Sequence, residues 1–276
     1  MTHDAPIRID VRDRRATVTL DRPAVRNAFD DATVAALRQA FDDLGRDASL
    51  RSVVLAAEGP AFCAGADLRW MQRMAGYSYD ENLADARALA AMLRAVHACP
   101  VPTIARIQGD VFAGGVGLVA ACDIAVSADS ARFCLSEVHI GLIPATIGPY
   151  VLRALGPRAS HRYFLTGERF GADEAHRLGL VHASVPAQAL DATVEGIADA
   201  LDRAAPGAAR AAKAFVRRVA HRPLDDDLAE ETAHEIARLR TGDEGREGVR
   251  AFLRKSTPAW RAGAAAADGT AGGARP

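Results

Sequence analysis

The chain has 276 residues, 49% hydrophobic and 25% charged, with 34 Lys and Arg against 35 Asp and Glu for a formal net charge of −1. That length and composition fit a soluble globular protein with one sizeable core. The two signs of charge are interspersed, which argues against nucleic acid or an anionic membrane as the main partner.

Four cysteines, Cys63, Cys99, Cys122 and Cys134, include no C-x-x-C pair and sit among apolar neighbours, as in a reduced protein. The opening MTHDAPIRIDVRD has no apolar stretch of the secretory kind, and no apolar run reaches the length of a membrane span. A cytoplasmic location is therefore expected.

Alternating apolar residues at 7–11 and 16–20 read as a strand hairpin. An Asp-rich turn from Asp30 then leads into a helix carrying Val34, Leu37, Phe41 and Leu44 at helical spacing, with Gly45 just beyond. Ser52 to Ala57 reads as a buried strand, about Asp80 to His97 as a helix, and Pro102 to Ile107 as a further strand. A glycine-rich turn, a short helix and the strands of DIAVSA and RFCLSE follow, so the organisation is α/β. Past Pro149 the pattern turns mainly helical. The expected division is a core over 1–190, a helical C-terminal part over 191–262, and a disordered tail over 263–276 that lacks apolar anchors.

Two glycine-bearing loops carry the chemical signal: AFCAGADLRWM (Ala61 to Met71) and QGDVFAGGVGLVAACD (Gln108 to Asp123). Small residues let a ligand approach the backbone, and a helix N-terminus adds unpaired N–H donors. Taken singly, each loop fits a tight turn equally well. Neither has the spacing of a phosphate-binding loop or a dinucleotide fingerprint, which argues against a kinase or a Rossmann dehydrogenase.

The order of the segments RPAVRNAF, AFCAGADL, IQGDVFAGGVGL, CDIAVSADSARFCLSEVHIGLIP, TGERFGADEAHRLGLV and AFLRKSTPAW, from about Ile7 to Trp260, resembles the enoyl-CoA hydratase/isomerase (crotonase) superfamily. The resemblance implies a crotonase-like spiral of ββα units with a C-terminal helical part, assembled as a homotrimer or a dimer of trimers. It also implies an acyl-CoA thioester as substrate, with coenzyme A as part of that substrate and no separate cofactor or metal. The implied catalytic groups are the backbone N–H of Ala66 and of Gly114 as an oxyanion hole, with Glu137 as acid–base. Ala64, Ala66, Asp67, Leu68 and Arg26 are implied contacts to coenzyme A, as is Lys255 from the C-terminal region. For Arg26 and Lys255 a solvated surface charge is the competing reading, and His139, near Glu137, reads better as a packed or solvent-facing histidine.

One departure from the family pattern bears on the activity. Its hydratases carry a first glutamate where this chain has Gly117, so only Glu137 is left. That absence is expected to enlarge the acyl pocket for a branched, methylglutaconyl-type chain, and Ala145 to narrow the water site. The apolar neighbours Ile140, Leu142 and Ile143 are expected to raise the Glu137 pKa. An enoyl-CoA hydratase is the first reading. A Δ3–Δ2 enoyl-CoA isomerase working with Glu137 alone and a non-catalytic acyl-CoA-binding relative remain as alternatives.

Overall fold

The computed structural model describes residues 5–261; the tail segment 263–276 lies outside them. Strands β1 (Ile7–Arg12) and β2 (Arg15–Leu20) pair antiparallel from Ile7↔Leu20 to Arg12↔Arg15. Asp13 and Arg14 close the hairpin with φ of 47° and 65°, the left-handed pair that a two-residue turn needs to match strand twist. Helix α1 (Asp31–Arg46) starts at Asp30, whose side chain accepts from the Thr33 N–H, and buries Val34, Leu37, Phe41 and Leu44 as their spacing predicts. It runs through Gly45, which had marked its expected end.

The chain continues as β3 (Ser52–Ala57), β4 (Ala61–Cys63), α2 (Leu68–Met74), α3 (Tyr79–Ala98), β5 (Thr103–Ile107), β6 (Asp110–Phe112), α4 (Gly114–Ala121), β7 (Ile124–Ala128) and β8 (Arg132–Cys134). After a 3-10 turn at Ser136–Ile140 come α5 (Gly148–Thr166), β9 (Phe170–Gly171), α6 (Ala172–Arg177) and β10 (Ala183–Val185). The larger sheet has the order β1-β2-β3-β5-β7-β10 and the smaller one β4-β6-β8-β9. Strands β3, β5 and β7 thus enter the larger sheet, and each is followed by a strand of the smaller one. The result is an α/β spiral of ββα turns. All six residues of β3 are buried, as a strand covered on both faces requires.

The helical pattern past Pro149 begins as one kinked element, because Gly156 takes φ 74° and ψ 165° and Pro157 has no N–H to continue the ladder. Strands β9 and β10 are too short, at two and three residues, for any period to show.

The chain divides into two compact units, Met1–Glu195 and Gly196–Pro276. The first holds both sheets. The second begins within α7 (Leu190–Arg203) and continues through α8 (Pro206–Val219), α9 (Asp226–Thr241) and α10 (Asp243–Arg254). Its helices are tied by polar caps: the Glu244 carboxylate accepts from the Gly207 and Ala208 N–H groups at 2.9 and 2.8 Å, and Asp225 caps α9 through the Leu228 N–H.

Candidate active site

The loop after β4 is held to the segment before α1 by a short parallel bridge between Phe29 and Ala66. The Phe29 N–H donates to the Gly65 carbonyl at 2.7 Å, and the Asp67 N–H donates to the Phe29 carbonyl at 2.6 Å. The Gly65 C=O and the Ala66 N–H belong to one trans peptide plane, so the Ala66 N–H points away from Phe29. The same reasoning applies at α4. There the Ala113 C=O accepts from the Val116 N–H at 2.9 Å, so the Gly114 N–H of that peptide points outward from the helix start. Neither N–H has an acceptor among the described residues.

The two loops touch. A Cβ built on Gly65, whose φ is +91°, would stand 3.1 Å from the Ala113 Cβ, and one on Gly114 would stand 2.9 Å from the Phe29 ring. Phe29 is itself 1% exposed, so its backbone holds the first loop while its ring supports the second. The sequence reading missed this role, although Phe29 lies in the quoted segment RPAVRNAF.

Glu137 reaches the same edge through the smaller sheet. Strands β6 and β8 pair in parallel at Phe112↔Cys134, and the Ala113 N–H donates to the Cys134 carbonyl at 2.8 Å. Three residues on, Glu137 lies in the 3-10 turn, half-buried, with one carboxyl oxygen enclosed and without a hydrogen-bond partner among the described residues. Burial holds its carboxyl above the usual range, opposed by its own backbone N–H. The expected direction of the shift is thus present, and Ile140, Leu142 and Ile143 are themselves 57%, 57% and 71% exposed.

Gly117, where a wider acyl pocket was expected, is closely packed. A Cβ there would fall 2.3 Å from Ile147 Cγ2 and 2.6 Å from Ile147 Cβ, and Ile147 is 3% exposed. The place of a side chain's first atom at position 117 is thus already taken by the residue that precedes α5. Ala145 is exposed.

A cavity of about 1050 Å³ opens beside the first loop, lined among others by Arg26, Ala64, Ala66, Asp67 and Leu68. Arg26 has a left-handed φ of 54° and pairs with Asp110 at 3.0 Å, its side chain 52% exposed. Leu68 is 76% exposed. Asp67 also has a local task. Its carboxylate caps α2 through the Arg69 and Trp70 N–H groups and accepts from Arg22 at 3.0 Å. Burial pushes its carboxyl up, but those N–H groups and the Arg22 charge outweigh this and leave it below the usual range. Arg22 also pairs with Asp30 and donates to the Ala28 carbonyl. Asn27, 1% exposed, ties the same turn to the Glu58 and Ala61 carbonyls.

Lys255 lies in the second unit, at the left-handed C-cap of α10 with φ 52°. His139 is exposed and within 2.9 Å of the Thr166 carbonyl, engaged in structure. Cys63 is fully enclosed, and its thiol is pushed up to about 12 by burial, with the Gly65 backbone N–H opposing, so it is inert as a nucleophile. Among the described residues no group of His, Cys, Asp and Glu is arranged to hold a metal ion, and no helix is long and apolar enough to cross a membrane.

A ββα spiral with two backbone donors at the meeting point of its glycine loops defines a crotonase-type protein. A model of the enoyl-CoA hydratase/isomerase family matches residues 13–263, and the chain belongs to that family. An enoyl-CoA hydratase from Shewanella pealeana superposes with a TM-score of 0.90 at 38% identity, covering 92% of this chain and 96% of that one. An enoyl-CoA hydratase from Mycobacterium smegmatis does so with 0.88 at 35%, covering 94% and 100%. A Thermus thermophilus sequence is 34% identical over 243 residues, 88% of this chain and 96% of the relative.

Proposed function

We propose that the chain is an enoyl-CoA hydratase that adds water across the 2,3-double bond of an acyl-CoA, with Glu137 as its only acid–base. The observation that carries this reading is the enclosed, unpartnered Glu137 oxygen at the edge where Ala66 and Gly114 present free N–H groups. Glu137 as carboxylate takes a proton from water while the oxygen attacks the β-carbon. The electron pair moves onto the thioester oxygen, where the Ala66 and Gly114 N–H groups stabilise it. Each such donor contributes about 2.7–4 kcal/mol to lowering the barrier. The protonated Glu137 then returns the proton to the α-carbon, so both parts of one water are delivered to one face. A carboxyl raised by burial suits a group that must both take and give a proton.

Coenzyme A enters as part of the substrate, with no separate cofactor or metal. In this reading its pantetheine lies along Ala64 to Leu68, and Arg26 meets the pantetheine or a phosphate. Assembly as a trimer or a dimer of trimers belongs to the same reading, supported by the exposed Phe252 and Leu253 of α10, and mass photometry tests it.

A second reading, a Δ3–Δ2 enoyl-CoA isomerase, is favoured by Gly117, which leaves Glu137 as the single carboxylate, since proton transfer between two carbons needs only one. Spectrophotometric assay of crotonyl-CoA, methylglutaconyl-CoA and a 3-enoyl-CoA separates the two. Water addition is the expected result; turnover of the 3-enoyl substrate alone overturns the first reading, and thioester binding without any turnover leaves a non-catalytic relative.

A further inference from the structure

Ala113 has φ 46° and ψ −117°, a conformation that side chains rarely adopt, and it caps α4 without any side-chain hydrogen bond. Such a residue costs about 1–3 kcal/mol and persists only where its surroundings over-determine it. Glycine would take this backbone freely, yet the chain places alanine immediately before two glycines. Its backbone is held at both ends, the N–H by the Cys134 carbonyl at 2.8 Å and the C=O by the Val116 N–H at 2.9 Å. Its methyl abuts Gly65, where an added Cβ would stand 3.1 Å away.

These contacts lead to both donor peptides. The Gly65–Ala66 peptide carries the Ala66 N–H, and the Ala113–Gly114 peptide carries the Gly114 N–H. We propose that Ala113 is a positioning residue: its ψ aims the Gly114 N–H, and its methyl against Gly65 sets the separation of the two loops, so one side chain registers both donors on one carbonyl. This rests on the reading of those N–H groups as the oxyanion site. The strained backbone is then retained because the methyl contact requires a Cβ, which glycine lacks.

The test compares the full-length wild type with Ala113→Gly and Ala113→Ser. The readouts are thermal stability, kcat and KM for crotonyl-CoA, and the isotope-edited infrared carbonyl stretch of bound, non-reacting butyryl-CoA. Wild type is expected to lower the stretch relative to free thioester. Ala113→Gly is expected to keep or raise Tm, lower kcat about tenfold with KM little changed, and move the stretch back toward the free value. Ala113→Ser, which keeps the Cβ, is expected to match wild type in the stretch and in kcat. A wild-type shift that Ala113→Gly leaves intact, with kcat unchanged, overturns the positioning role and leaves the oxyanion reading standing. Equal losses in both variants with a lowered Tm overturn it as well, since the methyl is then not the agent. Absence of any shift in wild type overturns both readings.

Discussion

Ile147 stands where any side chain at position 117 would have to go: a Cβ on Gly117 would lie 2.3 Å from its Cγ2. The two residues join α4 to the start of α5, so the pair is a packing lock beside the candidate site. Gly117→Ala is expected to destabilise the protein by about 1–3 kcal/mol through overpacking. Ile147→Gly removes both close atoms, and its Cα would then stand 3.6 Å from the new methyl, an ordinary contact. Chemical denaturation of both single variants and the double variant should show the double less destabilised than their sum. Strict additivity would mean that the contact does not govern position 117.

This pair also marks where sequence reading ended. The hairpin, α1 and the buried strand β3 were legible because each rests on local period or turn chemistry, whereas the ββα order was implied by the family resemblance. Gly117 was legible as an absence, but not its consequence, because Ile147 is 30 residues away and only tertiary packing brings it there. Likewise Phe29 reads as one more apolar residue until its bridge to Ala66 is seen. Asp67 was assigned to coenzyme A through the resemblance to the family; what the sequence did not show is that its carboxylate also holds the start of α2 and Arg22. Strands of two or three residues, such as β9 and β10, have no period to detect.

Glu137→Gln is expected to lower kcat by about 10²–10⁴ while leaving thioester binding close to wild type, since it removes proton transfer and keeps the shape. Stability should move the other way. Burial raises the folded-state pKa of this carboxyl, so its favourable contribution is complete below the unfolded pKa and is lost as pH rises through the folded one. The glutamine variant should therefore melt above wild type at pH 8, with the difference shrinking toward pH 4. The acid limb of wild-type kcat/KM against pH should also lie above the ordinary glutamate value of about 4.3. Equal melting temperatures at every pH would contradict the burial argument.

Arg26→Ala tests the cavity as the coenzyme A site. Its pair with Asp110 is half exposed, so its loss should change stability by less than about 1 kcal/mol. A contact to the pantetheine or a phosphate worth about 1 kcal/mol would raise KM roughly fivefold with kcat unchanged. The KM increase should shrink at high salt, because an exposed charge contact is screened. An unchanged KM across salt would remove Arg26 from the binding site and return it to a surface ion pair.

Asp67 separates the cap of α2 from its charge. Asp67→Asn keeps an acceptor for the Arg69 N–H but gives up the charge facing Arg22, which retains Asp30 at 3.0 Å. Asp67→Ala loses both, including a cap worth about 1 kcal/mol. At pH 7 the expected order of melting temperature is wild type, then asparagine, then alanine. The folded-state carboxyl lies below its usual range, so its stabilising effect is present above the unfolded pKa and lost as pH falls through the folded value. The gap between wild type and asparagine should therefore close in acid while the gap between asparagine and alanine persists, because an amide cap does not titrate. Thermal melts of the three proteins from pH 7 down to the acid limit of folding decide this. A gap between wild type and asparagine that stays constant would assign Asp67 to hydrogen-bond geometry and leave its charge without effect on α2, the helix that begins directly after the Ala66 loop.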